Sequence, residues 1–132
     1  KAYLGHVGDS RAFLVRKDKI YQLTKDHSWV EEQVEKGLLN EEDAKHHEWR
    51  NLITRALGTK PQVAPDIIEI GVQRNDVFLI STDGLHGLVK PEEMLGEVKR
   101  TTSHQSSVEY LISLANERGG PDNITLIIAE MT

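Results

Sequence analysis

Val77-Phe78-Leu79-Ile80-Ser81-Thr82-Asp83-Gly84 runs four apolar residues into two hydroxyls and an Asp-Gly turn. Four consecutive apolar positions bounded by turn signals read as a strand covered on both faces. A carboxylate directly after such a strand is carried on rigid backbone. Two other carboxylates share the setting. Asp9 follows the strand-like residues 2–7 as Gly8-Asp9-Ser10-Arg11, and Asp122 precedes the apolar run from Ile124 to Ala129 as Gly120-Pro121-Asp122-Asn123. One sheet could aim all three at a single point, and carboxylate oxygens in that arrangement suit hard divalent cations such as Mg²⁺ and Mn²⁺. Asp-Gly and Pro-Asp are also ordinary turn formers, and Asp at a strand end commonly accepts backbone hydrogen bonds. Spacing alone leaves both readings open.

Outward from that stretch, Ala12-Phe13-Leu14-Val15 lies between Arg11 and Arg16, and Lys17-Asp18 turns the chain into Ile20-Tyr21-Gln22-Leu23, a hairpin. Ile67-Ile68-Glu69-Ile70 is a further strand, joined to Val77–Ile80 through Arg74-Asn75-Asp76. Ser28-Trp29-Val30-Glu31 is a capping box and Gly37 a stop, predicting a helix over 29–36. Asn40 caps a second, with Glu41, Glu42 and Asp43 at its positive end. The polar stretch 38–50, with His46-His47-Glu48, reads as surface. Pro91 opens a helix running through Val98. Val108, Leu111, Ile112 and Ala115 follow the i, i+3, i+4, i+7 rule, predicting an amphipathic helix over 106–118. Strands in adjacent pairs with segregated helices favour α+β over a parallel doubly wound sheet.

Composition removes several classes. The 132 residues fit one domain; 38% hydrophobic and 28% charged residues describe a globular chain, not a disordered one. Sixteen basic against twenty-one acidic residues, a net charge of -5, argue against nucleic-acid binding. There is no Cys, which excludes disulfides, zinc-thiolate sites and thiol nucleophiles and fits a reducing cytoplasm, the expected location. No apolar run approaches the ~20 residues that span a bilayer.

Five segments occur in order: Val7-Gly8-Asp9-Ser10-Arg11, Leu23-Thr24-Lys25-Asp26-His27-Ser28, Asn51-Leu52-Ile53-Thr54-Arg55-Ala56-Leu57-Gly58, Ser81-Thr82-Asp83-Gly84-Leu85 and Gly119-Gly120-Pro121-Asp122-Asn123-Ile124-Thr125. Together they resemble the type-2C (PPM) metal-dependent serine/threonine protein phosphatases, especially the bacterial ones, over nearly the whole chain. The resemblance implies that residues 1–132 are the C-terminal part of a single catalytic domain. The expected fold is half of an α-β-β-α sandwich, two antiparallel sheets flanked by helices, with residues 28–50 forming a flap. Asp83 and Asp122 match ligands of the second metal. Asp9 matches a position that, in bacterial relatives, binds a third, looser metal together with the Asp83 equivalent. Ser10, Gly84, Asn123 and His86 stand behind these ligands.

The activity implied is hydrolysis of phosphoserine and phosphothreonine in proteins with Mn²⁺ or Mg²⁺. Two metals ~3.5–4 Å apart lower the pKa of a bridging water and clamp the phosphoryl oxygens, so no Ser or Cys nucleophile is needed. Phosphoproteins are the implied substrates and a serine/threonine kinase of the same pathway the implied partner, with no nucleic acid or membrane contact. Lys1-Ala2-Tyr3-Leu4 reads as the inside of a strand, so the natural start is expected upstream. In the family an N-terminal half supplies a metal-bridging Asp-Gly, a phosphate-binding Arg and, in many members, a His proposed as general acid. The chain alone is therefore expected to be inactive and to self-associate. A regulatory module that keeps the fold without the chemistry, or a small-molecule phosphoesterase, are the alternatives.

His46-His47-Glu48 reads as a solvated face, since adjacent helical residues point about 100° apart. His86, where bacterial relatives often carry a small polar residue, either orients a water or is a satisfied loop histidine. His6 and His27 read as structural, Trp29 and Trp49 as pins holding the flap to the core, and Arg11 and Arg55 as partners of carboxylates within the fold.

Overall fold

A computed structural model describes residues 1–132. Its contacts divide the chain into two compact units. The first comprises Ser10–Thr24 and Gly71–Thr132, with Lys1; the second comprises Ala2–Asp9 and Lys25–Ile70.

In the first unit, β2 (Arg11–Arg16), β3 (Lys19–Gln22), β5 (Val77–Ser81) and β6 (Leu126–Glu130) form an antiparallel sheet in the order β3-β2-β5-β6. The β2–β3 hairpin turns on Lys17, whose φ is +56°. Alternation along the strands places Phe13, Val15, Val77, Leu79 and Leu126 on one face. They form one buried cluster with Leu85, Val89, Met94, Leu111 and Ala115, supplied from α3 (Asp83–His86), α4 (Pro91–Arg100), α5 (His104–Glu117) and the α3–α4 connection. The i, i+3, i+4, i+7 stripe thus faces the core through Leu111 and Ala115, while Ser103 caps α5 by accepting from the Ser106 N–H. On the other face, Ala12 and Leu14 are buried, but Ile80 and Ile127, paired in register, stay exposed.

In the second unit, β1 (Ala2–His6) pairs antiparallel with β4 (Asp66–Ile70), setting His6 opposite Asp66. The two strands flanking Arg74-Asn75-Asp76 therefore belong to different sheets, although their sequences adjoin. Asp76, in the first unit, is buried and held by Arg16 of the same unit through two bonds of 2.8 and 2.6 Å. α1 (Trp29–Glu35) starts at Ser28, whose hydroxyl accepts from the Glu31 N–H; α2 (Glu41–His46) starts at Asn40, which accepts from Asp43. No residue of α2 is buried. Trp29 and Trp49 meet each other edge to face at 4.9 Å, with His47 as a third ring. These rings close the flap on itself, where the sequence suggested pins to the core.

Two antiparallel sheets with segregated helices make the chain α+β, as expected. α3 was not expected: a four-residue helix directly after a strand lacks the length that carries a periodic signal. No helix is long and apolar enough to cross a membrane.

Candidate metal centre

Asp83 is the first residue of α3, one position beyond the N-cap Thr82, which follows the last residue of β5, Ser81. The β5–β6 ladder closes at Ser81 opposite Leu126, and further bonds carry the contact into the adjoining turns. Thr82 N–H donates to the Thr125 carbonyl at 3.1 Å, and Thr125 N–H returns to the Thr82 hydroxyl at 3.1 Å. That hydroxyl also lies 3.4 Å from the Asn123 carbonyl. On the other side of Asp83, Gly84 is buried so closely against the second turn that a Cβ would stand 2.0 Å from the Asn123 carbonyl oxygen. Asp83 is thus flanked on both sides by residues that touch the 123–125 segment, immediately after Asp122. The sequence pointed to these two turns separately; the stitching between them comes from the ladder.

Asp83 is half-buried and Asp122 exposed. Asp122 accepts the Asn123 N–H through Oδ1 at 2.7 Å, and neither carboxylate is held in an ion pair. The end of α5, which leads toward Asp122, is held to α4 and to the α3–α4 connection. Arg118, capping α5, reaches Glu93 on α4 through bonds of 2.8 and 2.5 Å and donates to the Leu88 carbonyl at 2.8 Å. The guanidinium, with the Lys90 N–H and against a smaller opposing effect of burial, draws the Glu93 carboxyl down to about 2.

Gly84→Ala tests the close approach. The added methyl meets backbone, which has no rotamer by which to yield, so the two turns must separate. Overpacking of this kind costs about 1–3 kcal/mol. In the parent protein the expected outcome is a lowered melting temperature together with at least tenfold weaker Mn²⁺ binding by calorimetric titration. Unchanged metal affinity would show that the spacing of these turns is irrelevant to the site.

Asp9 belongs to the second unit, in the bend after β1; Ser10 is the next residue along the chain, opening the first unit. Gly8, just before Asp9, has φ +112°, which side-chain-bearing residues rarely adopt. Its N–H donates to His27 Nδ1 at 3.0 Å and its carbonyl accepts the His27 N–H at 2.8 Å. The N–H can only donate, so Nδ1 is the acceptor and the ring hydrogen sits on Nε2, which donates to Asp66 Oδ2 at 2.8 Å. Arg55 donates to Asp66 Oδ1 at 3.0 Å. The His27 and Arg55 bonds, outweighing desolvation, hold the Asp66 carboxyl below the usual carboxylate range.

His6 packs its ring 4.8 Å from that of His27, and the ligating atoms of His6, His27 and Asp66 all lie within 4.8 Å of one another. Such a trio has the composition of a metal site, but both His27 nitrogens are already hydrogen-bonded. Positions 6, 27 and 66 have no common spacing, so sequence reading found His6 and His27 only as structural residues and Asp66 not at all. Arg55 does meet a carboxylate, as its context suggested. His46 bonds Glu42 on an exposed helix face, and His86 is half-buried on α3.

The comparisons with known proteins give the same class. The Protein phosphatase 2C family profile matches residues 1–124, and the chain belongs to that family. Protein phosphatase PhpP of Streptococcus pneumoniae is 35% identical over 131 residues, covering 99% of this chain and 53% of that protein. The serine/threonine phosphatase of S. agalactiae superposes with a TM-score of 0.94 at 35% identity, covering 98% of this chain and 54% of that one. The catalytic domain of serine/threonine protein phosphatase PstP, solved with two manganese ions, gives 0.85 at 35% identity, covering 97% and 52%. The chain spans about half the length of the relatives it matches.

Proposed function

We propose that this chain is the C-terminal part of a metal-dependent phosphatase domain that hydrolyses phosphoserine and phosphothreonine in proteins. Asp83 and Asp122 would hold one metal position, and Asp9 would serve a further, looser one. The observation that carries this reading is the stitching of the Asp83 and Asp122 turns through Thr82, Gly84, Asn123 and Thr125, in a chain of the Protein phosphatase 2C family.

The donor set fits a hard cation. Two carboxylates free of ion pairs sit on neighbouring turns, with no soft or nitrogen donor assigned to them, and Mn²⁺ or Mg²⁺ prefers oxygen ligands. Bound there, the metal would supply Lewis-acid activation of water and of the phosphoryl oxygens. The chain's own residues hold and space the carboxylates. Thr82 locks one turn to the other, Gly84 permits their approach, and the Arg118–Glu93 pair fixes the segment leading to Asp122. Ser10, Asn123 and His86 stand behind the ligands. Phosphoproteins are the proposed substrates, a serine/threonine kinase of the same pathway the proposed counterpart, and the cytoplasm the proposed location.

The parent protein should release phosphate from a phosphothreonine peptide in Mn²⁺, lose that activity in excess EDTA, and regain it when Mn²⁺ is restored. Full activity in EDTA would refute a metal-dependent reaction. Activity on p-nitrophenyl phosphate and small esters but on no phosphopeptide would favour the small-molecule alternative.

A further inference from the structure

We propose that His27 is a positioning residue for Asp9, acting through a relay that runs from Gly8 across the imidazole to Asp66 and Arg55. The inference rests on the reading of Asp9 as a metal ligand. It deepens that reading, because it says how a carboxylate in a bend between strands is given a fixed direction.

Gly8 is gripped at both of its backbone polar groups by one residue: its N–H by the His27 ring at 3.0 Å and its carbonyl by the His27 N–H at 2.8 Å. Holding donor and acceptor together fixes the peptide planes on both sides of Gly8, and the second of those planes leads directly into Asp9. The positive φ of Gly8 is what lets the chain present both groups to the same partner.

His27 is itself immobilised. Its carbonyl accepts the Thr54 N–H at 2.8 Å, and its ring is buried against His6. Its far nitrogen ends on Asp66, which sits at the start of β4 opposite His6 in the β1–β4 ladder, and Arg55 takes the remaining Asp66 oxygen. The bend carrying Asp9 is therefore referred, through two buried rings, to the end of the sheet it leaves. His27 does not bond Asp9 in this scheme. It sets the backbone that carries it.

Two shape-related substitutions separate positioning from general support. In His27→Asn the side-chain oxygen takes the place of Nδ1, keeping an acceptor for the Gly8 N–H and losing the link to Asp66. In His27→Gln the amide reaches the place of Nε2, keeping a partner for Asp66 and losing the acceptor for Gly8. In the parent protein, Mn²⁺ titration of His27→Gln should show the weakest metal event about tenfold weaker or more, the range expected when a group behind a ligand is lost. His27→Asn should recover most of it, although both variants melt at similar, lowered temperatures.

Equal losses in the two variants, tracking only the fall in melting temperature, would overturn the inference. Asp9→Asn separates it from the reading beneath. If Asp9→Asn weakens that event and His27→Gln does not, the relay is wrong and Asp9 remains a ligand; if Asp9→Asn changes nothing, both fall. Should the variants fail to fold, the imidazole nitrogen resonances of the unmodified protein still decide. A His27 ring protonated at Nε2 and bare at Nδ1 is expected, and a ring protonated at Nδ1 would overturn the proposal.

Discussion

In the parent protein, Asp83→Asn is expected to lower kcat for p-nitrophenyl phosphate by about a hundredfold or more, with loss of Mn²⁺ affinity and little change in melting temperature. The substitution keeps the shape of the side chain and removes one negative charge. Asp83 has no ion-pair partner whose loss would destabilise the fold. Its helix is anchored by the backbone bond from the Thr82 N–H to Thr125 and by the Leu85 side chain packed in the core, both of which the amide leaves intact. The effect should therefore fall on metal and rate. It should exceed the ~10–100-fold that groups behind a ligand produce, because the carboxylate itself is removed. Near-normal turnover at saturating Mn²⁺ would contradict the role given to Asp83. A matching fall in melting temperature would show that Asp83 acts on the fold instead.

Legibility followed the range of each interaction. The capping hydroxyl of Ser28, the amide of Asn40 and the stripe on α5 are local signals, and each marked a real helix. Asp83 and Asp122 were singled out because each follows or precedes an apolar run near a turn, and only the family resemblance made them candidate ligands. Their relation to each other was not legible, since it depends on the β5–β6 register and on a glycine's missing Cβ, neither of which leaves a pattern along the chain. The same limit explains Asp66. It looks like a strand-start residue after Pro65, and only the β1–β4 pairing brings it to His6 and His27. The partition of β4 and β5 between two sheets was hidden for a related reason. Apolar runs announce strands, but pairing partners are chosen by long-range packing.

The 132-residue chain on its own is expected to be inactive and to associate, and the sheet of the first unit says where. Its helix-facing side is closed by Phe13, Leu79, Leu111 and their neighbours, all buried. Its other side is not. Ile80 and Ile127 face each other across the β5–β6 ladder at 40% and 55% exposure, with Phe78 and Ala129 in the adjoining row. β6 is also an outer strand of the sheet, so one edge of its backbone has no ladder partner. Open edges and adjacent apolar side chains favour pairing with another chain. Fully burying an Ile contributes roughly 1.5–3 kcal/mol, so covering two half-exposed ones is a sizeable share of a small domain's ~5–15 kcal/mol. In a protein of the relatives' length, the part that this chain does not span is the expected cover; in the isolated chain a second copy would take its place. Light scattering after size exclusion should report a dimer or larger species with no hydrolysis of p-nitrophenyl phosphate. Ile127→Lys sets a charge in the exposed row and should shift the isolated chain toward monomer, while the same change in the parent protein should lower its melting temperature. A compact, active monomer of the unmodified chain would refute both parts. An association untouched by Ile127→Lys would move the interface off this face.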